Sequence, residues 1–259
     1  MKSPVTISVF LVLLSLCAFD LHSAAASGRS VSPSGQFIIY GGDAAGRGAI
    51  SMLAEQLRAN LLAILQRRDQ WATAAVINLQ PRAANLPEIP NAALRFSQTG
   101  SGLKLQLDLA VSEEMSFSIV EREILRLILL EMIYRNQPGI RSGDEYVEPP
   151  NWLVEGLLAL MLNRDRTVML SALAAVKELK PPDEFLGERG ELLDPVGRSL
   201  YRAYSLALVQ ILMQIPHSSV VTSIHSLLLR TTQSPIWKKV FPNSPEIIVG
   251  RSGNQKSRT

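Results

Sequence analysis

The chain is poor in the residues that bind metals or form cross-links. Its 259 residues include one cysteine and three histidines. Cys17 and His22 lie in an N-terminal segment that we interpret as a leader, so the sequence after it has no thiol for a disulfide or a thiolate–metal bond. The other histidines, His217 and His225, are eight positions apart and not four, the spacing at which two histidines on one helix share a metal ion. We interpret both as ordinary residues.

A strong charge of either sign is also missing. The chain has 26 basic and 23 acidic residues, a net charge of +3. The basic residues form no stripe interleaved with aromatic side chains, which is the pattern expected of a surface that binds DNA or RNA. We therefore expect no nucleic-acid partner.

Residues 1–26 are predicted to be a signal peptide. A basic start at Lys2 is followed by an apolar stretch over 5–19 and by small residues over 23–26. The apolar stretch is shorter than the roughly 20 residues that span a bilayer. We expect a periplasmic or secreted protein with no stable membrane span once the leader is removed. An uncleaved membrane anchor is the alternative.

The rest of the chain is predicted to form one domain of the α+β class, a small N-terminal sheet with a helix followed by a helical bundle. Residues 27–35 are interpreted as a flexible lead-in, 36–232 as the domain, and 233–259 as a partly disordered C-terminal extension. The Pro-containing loop over 138–150 is not a clear boundary, because apolar helices on both sides fit one core.

Hydrophobic periodicity predicts the individual elements. Strand patterns cover 36–40, 75–79, 94–98 and 103–110, with a hairpin between the last two. Helical patterns cover 49–67, 119–133, 151–161, 167–180, 198–214 and 218–230. The glycine-rich segment 41–48 lacks the Gly-Lys-Ser/Thr ending of a phosphate loop, so we interpret it as a loop that leads into a helix. Ser118 and Glu121 predict a capping box, and 183–196 is predicted to be a polar loop.

Two segments of the helical half carry a recognisable motif. Residues 128–134 read Ile-Leu-Leu-Glu-Met-Ile-Tyr, and residues 149–156 read Pro-Pro-Asn-Trp-Leu-Val-Glu-Gly. Together they resemble the active-site region of gluzincin metallopeptidases, the peptidase MA-like group. That family carries His-Glu-x-x-His on one helix and Trp-Leu-x-Glu-Gly on a second helix roughly twenty residues later. The resemblance extends over about residues 34–230 and implies a thermolysin-like helical bundle.

The carboxylates of the motif are present. By the resemblance, Glu131 occupies the position of the general base that activates zinc-bound water, and Glu155 occupies the position of the third zinc ligand. Three further residues match the second motif: Trp152, Leu153 and Gly156.

The histidines of the motif are missing. Leu130 and Tyr134 stand at the two zinc-binding positions. Leucine has no donor atom, and a tyrosine phenol is a poor ligand at neutral pH. We therefore expect no zinc, no other cofactor and no catalytic residue, with Glu131 as a vestigial general base and Leu130, Tyr134 and Glu155 as degenerate metal positions.

The resemblance implies an exported, catalytically inactive metallopeptidase-like protein that binds a peptide or protein partner in the old substrate cleft. The candidate cleft residues are Glu131, Tyr134, Trp152, Glu155 and Tyr204. Two alternatives stay open: a hydrolase with rearranged chemistry that uses Glu131 and Glu155 as a carboxylate pair, and a purely structural envelope protein.

The same residues also have structural interpretations. Glu131 lies in an apolar run with Arg135 four positions later, so a buried ion pair is favoured over any chemistry. An alternative role for Glu155 is hydrogen bonding to backbone groups near the start of its helix. Trp152 is predicted to be a core residue.

Overall fold

The computed structural model describes residues 28–81, 91–99, 102–112, 116–135, 148–162, 166–177 and 180–214. Several predictions lie outside these residues: the signal peptide 1–26, the helix 218–230, His217, His225 and the extension 233–259.

The described chain contains five strands and six α-helices, which confirms the α+β class. The strands are β1 (Arg29–Val31), β2 (Phe37–Gly41), β3 (Ala75–Pro81), β4 (Ala92–Thr99) and β5 (Gly102–Val111). The helices are α1 (Ala44–Leu65), α2 (Phe117–Tyr134), α3 (Asn151–Leu162), α4 (Arg166–Ala174), α5 (Pro182–Gly187) and α6 (Pro195–Gln214), with a 3-10 turn at Gly190–Leu192.

The five strands form one sheet in the order β1-β2-β3-β5-β4. The three central strands, β2, β3 and β5, run parallel, and the two outer strands run antiparallel to their neighbours. The predicted hairpin is confirmed, because β4 pairs with β5 from Thr99 opposite Gly102 to Ala92 opposite Leu109. The helix α1 provides the crossover from β2 to β3 that a parallel pair requires.

One apolar core joins the sheet to the helices. Alternation on β5 turns four leucines inward, from Leu103 to Leu109, and all four are buried. They belong to the same cluster of buried side chains as residues of α1, α2, α3 and α6. The described residues before and after 138–150 therefore contribute to the same core.

The prediction of a flexible lead-in over 27–35 is corrected by β1. Arg29 to Val31 pair with β2, and the backbone N–H of Ser32 donates to the carbonyl of Phe37 at 2.9 Å. Gly35 takes a φ of +74°, which glycine adopts without strain. Pro33, Ser34 and Gly35 thus form the turn between β1 and β2.

Two helix starts also differ from the prediction. The helix α1 begins at Ala44, inside the predicted loop 41–48, because the Asp43 carboxylate accepts from the Gly46 N–H at 2.7 Å and caps the helix. The capping box of Ser118 and Glu121 is wrong. The helix α2 begins at Phe117, two residues before the predicted start, so Ser116 is its N-cap residue and Ser118 lies inside its first turn.

The predicted boundaries in the second half are corrected as well. The helix predicted over 167–180 ends at Ala174, and the polar loop predicted over 183–196 contains α5 and the 3-10 turn. A proline lies in the first turn of α5, where its fixed φ favours a helix start. None of the helices in the described part of the chain is long and apolar enough to cross a membrane.

Candidate functional site

Two polar contacts set the register of α2 against α3. The Nε of Arg122 donates to Oε1 of Glu155 at 2.6 Å, and a guanidinium nitrogen of Arg126 donates to Oδ1 of Asn151 at 2.6 Å. Arg126 lies four positions after Arg122 on α2, whereas its partner Asn151 lies four positions before Glu155 on α3. The two helices therefore run antiparallel, with polar contacts one turn apart. We call these two contacts the polar ladder.

Glu155 also joins a third helix. Its side chain is only 8% exposed, and its second oxygen, Oε2, lies 3.1 Å from Nε of Arg202 on α6. A buried carboxylate is thus paired with one cation from α2 and one from α6, which offsets the cost of removing its charge from water. Its described partners are arginine side chains and not the backbone groups near its helix start.

Gly156, the next residue of the motif, lies in close contact with α6. A Cβ atom at this position would lie 2.6 Å from Cγ2 of Val209 and closer still to the carbonyl oxygen of Ser205. Only glycine fits without a shift of the backbone. The Glu155-Gly156 pair therefore acts locally as a helix-packing element, in which one residue supplies the ion pair and the other supplies the close approach.

Glu131 is fully buried at the other end of α2. Its Oε2 lies 2.5 Å from a guanidinium nitrogen of Arg135, and its Oε1 accepts from the backbone N–H of Ala72 at 3.1 Å. The predicted ion pair with Arg135 is confirmed. Burial raises the pKa of the Glu131 carboxyl despite these two favourable contacts. The residue ties α2 to the segment that precedes β3.

The residues at the histidine positions are packed in the core. Leu130 is buried, and the ring of Tyr134 stacks on Phe96 of β4 with centroids 5.2 Å apart. Trp152 is also buried, which confirms it as a core residue. These side chains fill the space between α2, α3 and the sheet.

Tyr204, the last residue of the candidate cleft, is half-buried on α6. Its hydroxyl oxygen accepts from the backbone N–H of Lys180 at 2.8 Å, and its ring stacks on Phe185 with centroids 5.4 Å apart. It is the only one of the five candidate cleft residues that is not buried. The packing therefore gives an open cleft lined by these residues no support.

The contacts give Glu131 and Glu155 separate partners. Arg122, which binds Glu155, lies nine residues before Glu131, and this separation is about 13.5 Å along a helix and half a turn around it. Among the described residues, no group of three or more His, Cys, Asp or Glu side chains could hold a metal ion. The arrangement lends no support to a zinc shell or a carboxylate pair.

The arginines and the backbone group that hold these carboxylates were not predicted from the sequence. Arg122 and Arg126 had a usable signal, because two cations four positions apart on an apolar helix repel each other and indicate polar partners outside that helix. Arg202 and Ala72 had none, since each meets its partner only through the tertiary fold.

Comparison of the chain with protein-family models, curated proteins and solved structures finds no match. The likeness to gluzincins therefore rests on the motif residues of α2 and α3, and the function that it implies is a proposal.

Proposed function

We propose that the protein is an exported, catalytically inactive relative of gluzincin metallopeptidases, with a thermolysin-like helical bundle, and that it acts by binding a peptide or protein partner. The vestigial site serves as the structural centre of the bundle. The surface of the domain, and not the buried motif, then makes the contacts on which its function depends.

One observation carries this proposal: each motif carboxylate forms an ion pair with at least one arginine side chain. Glu155 lies between Arg122 and Arg202, and Glu131 lies against Arg135. A zinc ligand must offer its carboxylate oxygen to the metal, and a general base must reach a water molecule. A carboxylate that is buried and paired with a guanidinium would have to give up that partner before it could bind zinc or reach a water molecule.

The same contacts disfavour a hydrolase with rearranged chemistry. Glycosidases and aspartic proteases use two carboxylates that face one reacting group. Here Glu131 and Glu155 bind different arginines on opposite sides of α2. A purely structural envelope protein is the second candidate, and the buried state of Leu130, Tyr134 and Trp152 favours it, because a filled centre needs no ligand.

The test of inactivity is elemental analysis of the purified, secreted protein together with a general peptidase assay, with and without a chelator. We expect substoichiometric zinc after dialysis and no chelator-sensitive cleavage. The resemblance assigns three positions to zinc ligands, and of the residues at these positions only Glu155 has a suitable donor atom.

The Glu131→Gln variant is the matched control. A contaminating peptidase leaves equal activity in both preparations. Stoichiometric zinc with cleavage that disappears in Glu131→Gln would overturn the proposal and favour the rearranged hydrolase.

A further inference from the structure

The described helices cover only one face of the sheet. Inward-facing residues of the strands, such as Phe37, Ile77 and Leu107, belong to the apolar core that the helices complete. The outward-facing apolar residues of the same strands take no part in that core. The larger ones are Val31, Ile38, Tyr40 and Val76, and two alanines, Ala93 and Ala110, lie on the same side. We call the outward-facing surface of the five strands the open face.

The open face is apolar over β1, β2 and the start of β3, whereas the outward positions of β5 are mostly polar. Strands that run parallel are normally buried on both faces, and an apolar residue on each face is typical of them. The register places Val31 beside Ile38 and Ile38 beside Val76, which gives a continuous apolar row across β1, β2 and β3. Val31 is 47% exposed in the described part of the chain. A covering element is therefore expected on this side.

The charges around the row have one sign. Arg29, Arg95 and Lys104 are exposed at outward positions of β1, β4 and β5. The only acidic residue on this surface of the described strands is Asp108, which is buried. Its carboxylate accepts from Asn78 at 2.7 Å and Gln106 at 2.9 Å and lies 3.2 Å from the Arg95 guanidinium. The open face thus presents apolar and cationic groups.

We propose that the open face binds a partner protein through an apolar surface rimmed by acidic residues. This rests on the proposed function, of which it names the binding surface and the chemistry of the partner. Apolar contact with the row over β1, β2 and β3 supplies affinity. Arg29 and Lys104 orient an acidic rim, because Arg95 is already paired with Asp108.

Charge argues against two other occupants, a second copy of the chain and its own C-terminal residues. A second copy of the chain would bring Arg29, Arg95 and Lys104 against the same cations. The chain's own residues 215–259 contain six Lys or Arg residues and one acidic residue, Glu246, so they carry the same sign as the open face. A separate acidic partner avoids both conflicts.

The experiment places a photo-cross-linking amino acid at single positions of the full chain in the cells that make it. Val31 and Gln80 report on the open face. Met52 and Val196, 73% and 78% exposed, are matched positions on the helical side. Each adduct is identified by mass spectrometry, and the captured protein is then purified and titrated against this protein.

We expect Val31 and Gln80 to capture one other protein that Met52 and Val196 do not. Lys104→Glu should weaken its binding by about tenfold or more, because one reversed charge then faces an acidic rim. Lys177→Glu, the same change at an exposed position off the sheet, should leave binding unchanged.

Three outcomes would overturn the inference. Capture only at Met52 or Val196 refutes the open face and leaves the proposed function standing. Adducts of Val31 or Gln80 with the same chain or with a second copy refute the acidic partner. The absence of any captured protein at all four positions counts against the proposed function itself.

Discussion

Gly156→Ala is the most direct test of the α3–α6 packing. The added methyl group has no room, because its carbon would lie 2.6 Å from Cγ2 of Val209 and closer still to the carbonyl oxygen of Ser205. The valine side chain can rotate, but the carbonyl belongs to the backbone of α6 and moves only with that helix. A shift of α6 would in turn stretch the ion pair between Arg202 and Glu155.

The expected change in the free energy of unfolding is the cost of overpacking minus the gain in helix propensity. Overpacking a close-packed interior costs about 1–3 kcal/mol and sometimes more. Replacement of a mid-helix glycine by alanine returns about 1 kcal/mol through helix propensity. Because the obstructing atom is in the backbone, the cost should be at the upper end of its range. We expect a net loss of about 2 kcal/mol in the free energy of unfolding.

The control is Gly48→Ala in α1, where a Cβ atom would meet nothing within 4 Å. This variant should gain up to about 1 kcal/mol from propensity alone. Urea unfolding of both variants, followed by circular dichroism, measures the difference. If Gly156→Ala is as stable as Gly48→Ala, the close approach of α3 and α6 is wrong.

Two further predictions concern the buried carboxylates. Because burial raises the pKa of Glu131 above its ordinary value of 4.5, the folded state binds this proton more readily than the unfolded chain does. The resulting stabilisation is present below pH 4.5 and is lost as the pH rises through the raised pKa. The free energy of unfolding of the wild type should therefore fall relative to that of Glu131→Gln across this pH range. Urea unfolding at a series of pH values measures the difference, and the opposite trend would contradict the burial argument. In a double-mutant cycle with alanine, Arg122 and Glu155 should show a coupling energy of about 1–3 kcal/mol. The more exposed pair Lys180 and Glu188 is the control, and its coupling energy should stay below about 1 kcal/mol. Equal coupling energies would show that the Arg122 pair is not a buried contact.

Sequence periodicity predicted the strands and long helices well, because their signals are local. The alternating leucines of β5 and the apolar run of α2 each repeat within a single element. The starts of elements were less predictable. A glycine-rich stretch at 41–48 suggested a loop, but the Asp43 cap lets the helix begin within it. Ser, Gly and Pro in 27–35 suggested flexibility, but Arg29 to Val31 form a strand and Pro33 to Gly35 form the turn that joins it to β2.

The candidate site divides in the same way. The ion pair between Glu131 and Arg135 spans four residues of one helix, so spacing alone could predict it. The partners of Glu155 lie 33 positions before it and 47 positions after it, at Arg122 and Arg202. Contacts between residues so far apart in the chain cannot be predicted from a pattern in a single sequence. The motif could therefore indicate that α3 packs on α2, but not which polar groups its glutamate would face.

The polar ladder also bears on how the chain avoids a wrong helix alignment during folding. Apolar faces of helices tolerate sliding by one turn, because one leucine replaces another. If α3 slid one turn toward the C-terminus of α2, Glu155 would face Arg126, and the amide of Asn151 would face Leu130 in the core. A slide in the other direction would place the Glu155 carboxylate opposite Ser118 without a cation. The first misaligned state buries an unpaired amide, and the second moves Glu155 away from Arg122 toward the exposed Ser118. The loss of a buried polar partner costs about 1–3 kcal/mol, so the two polar contacts favour one alignment among several that the leucines alone would accept.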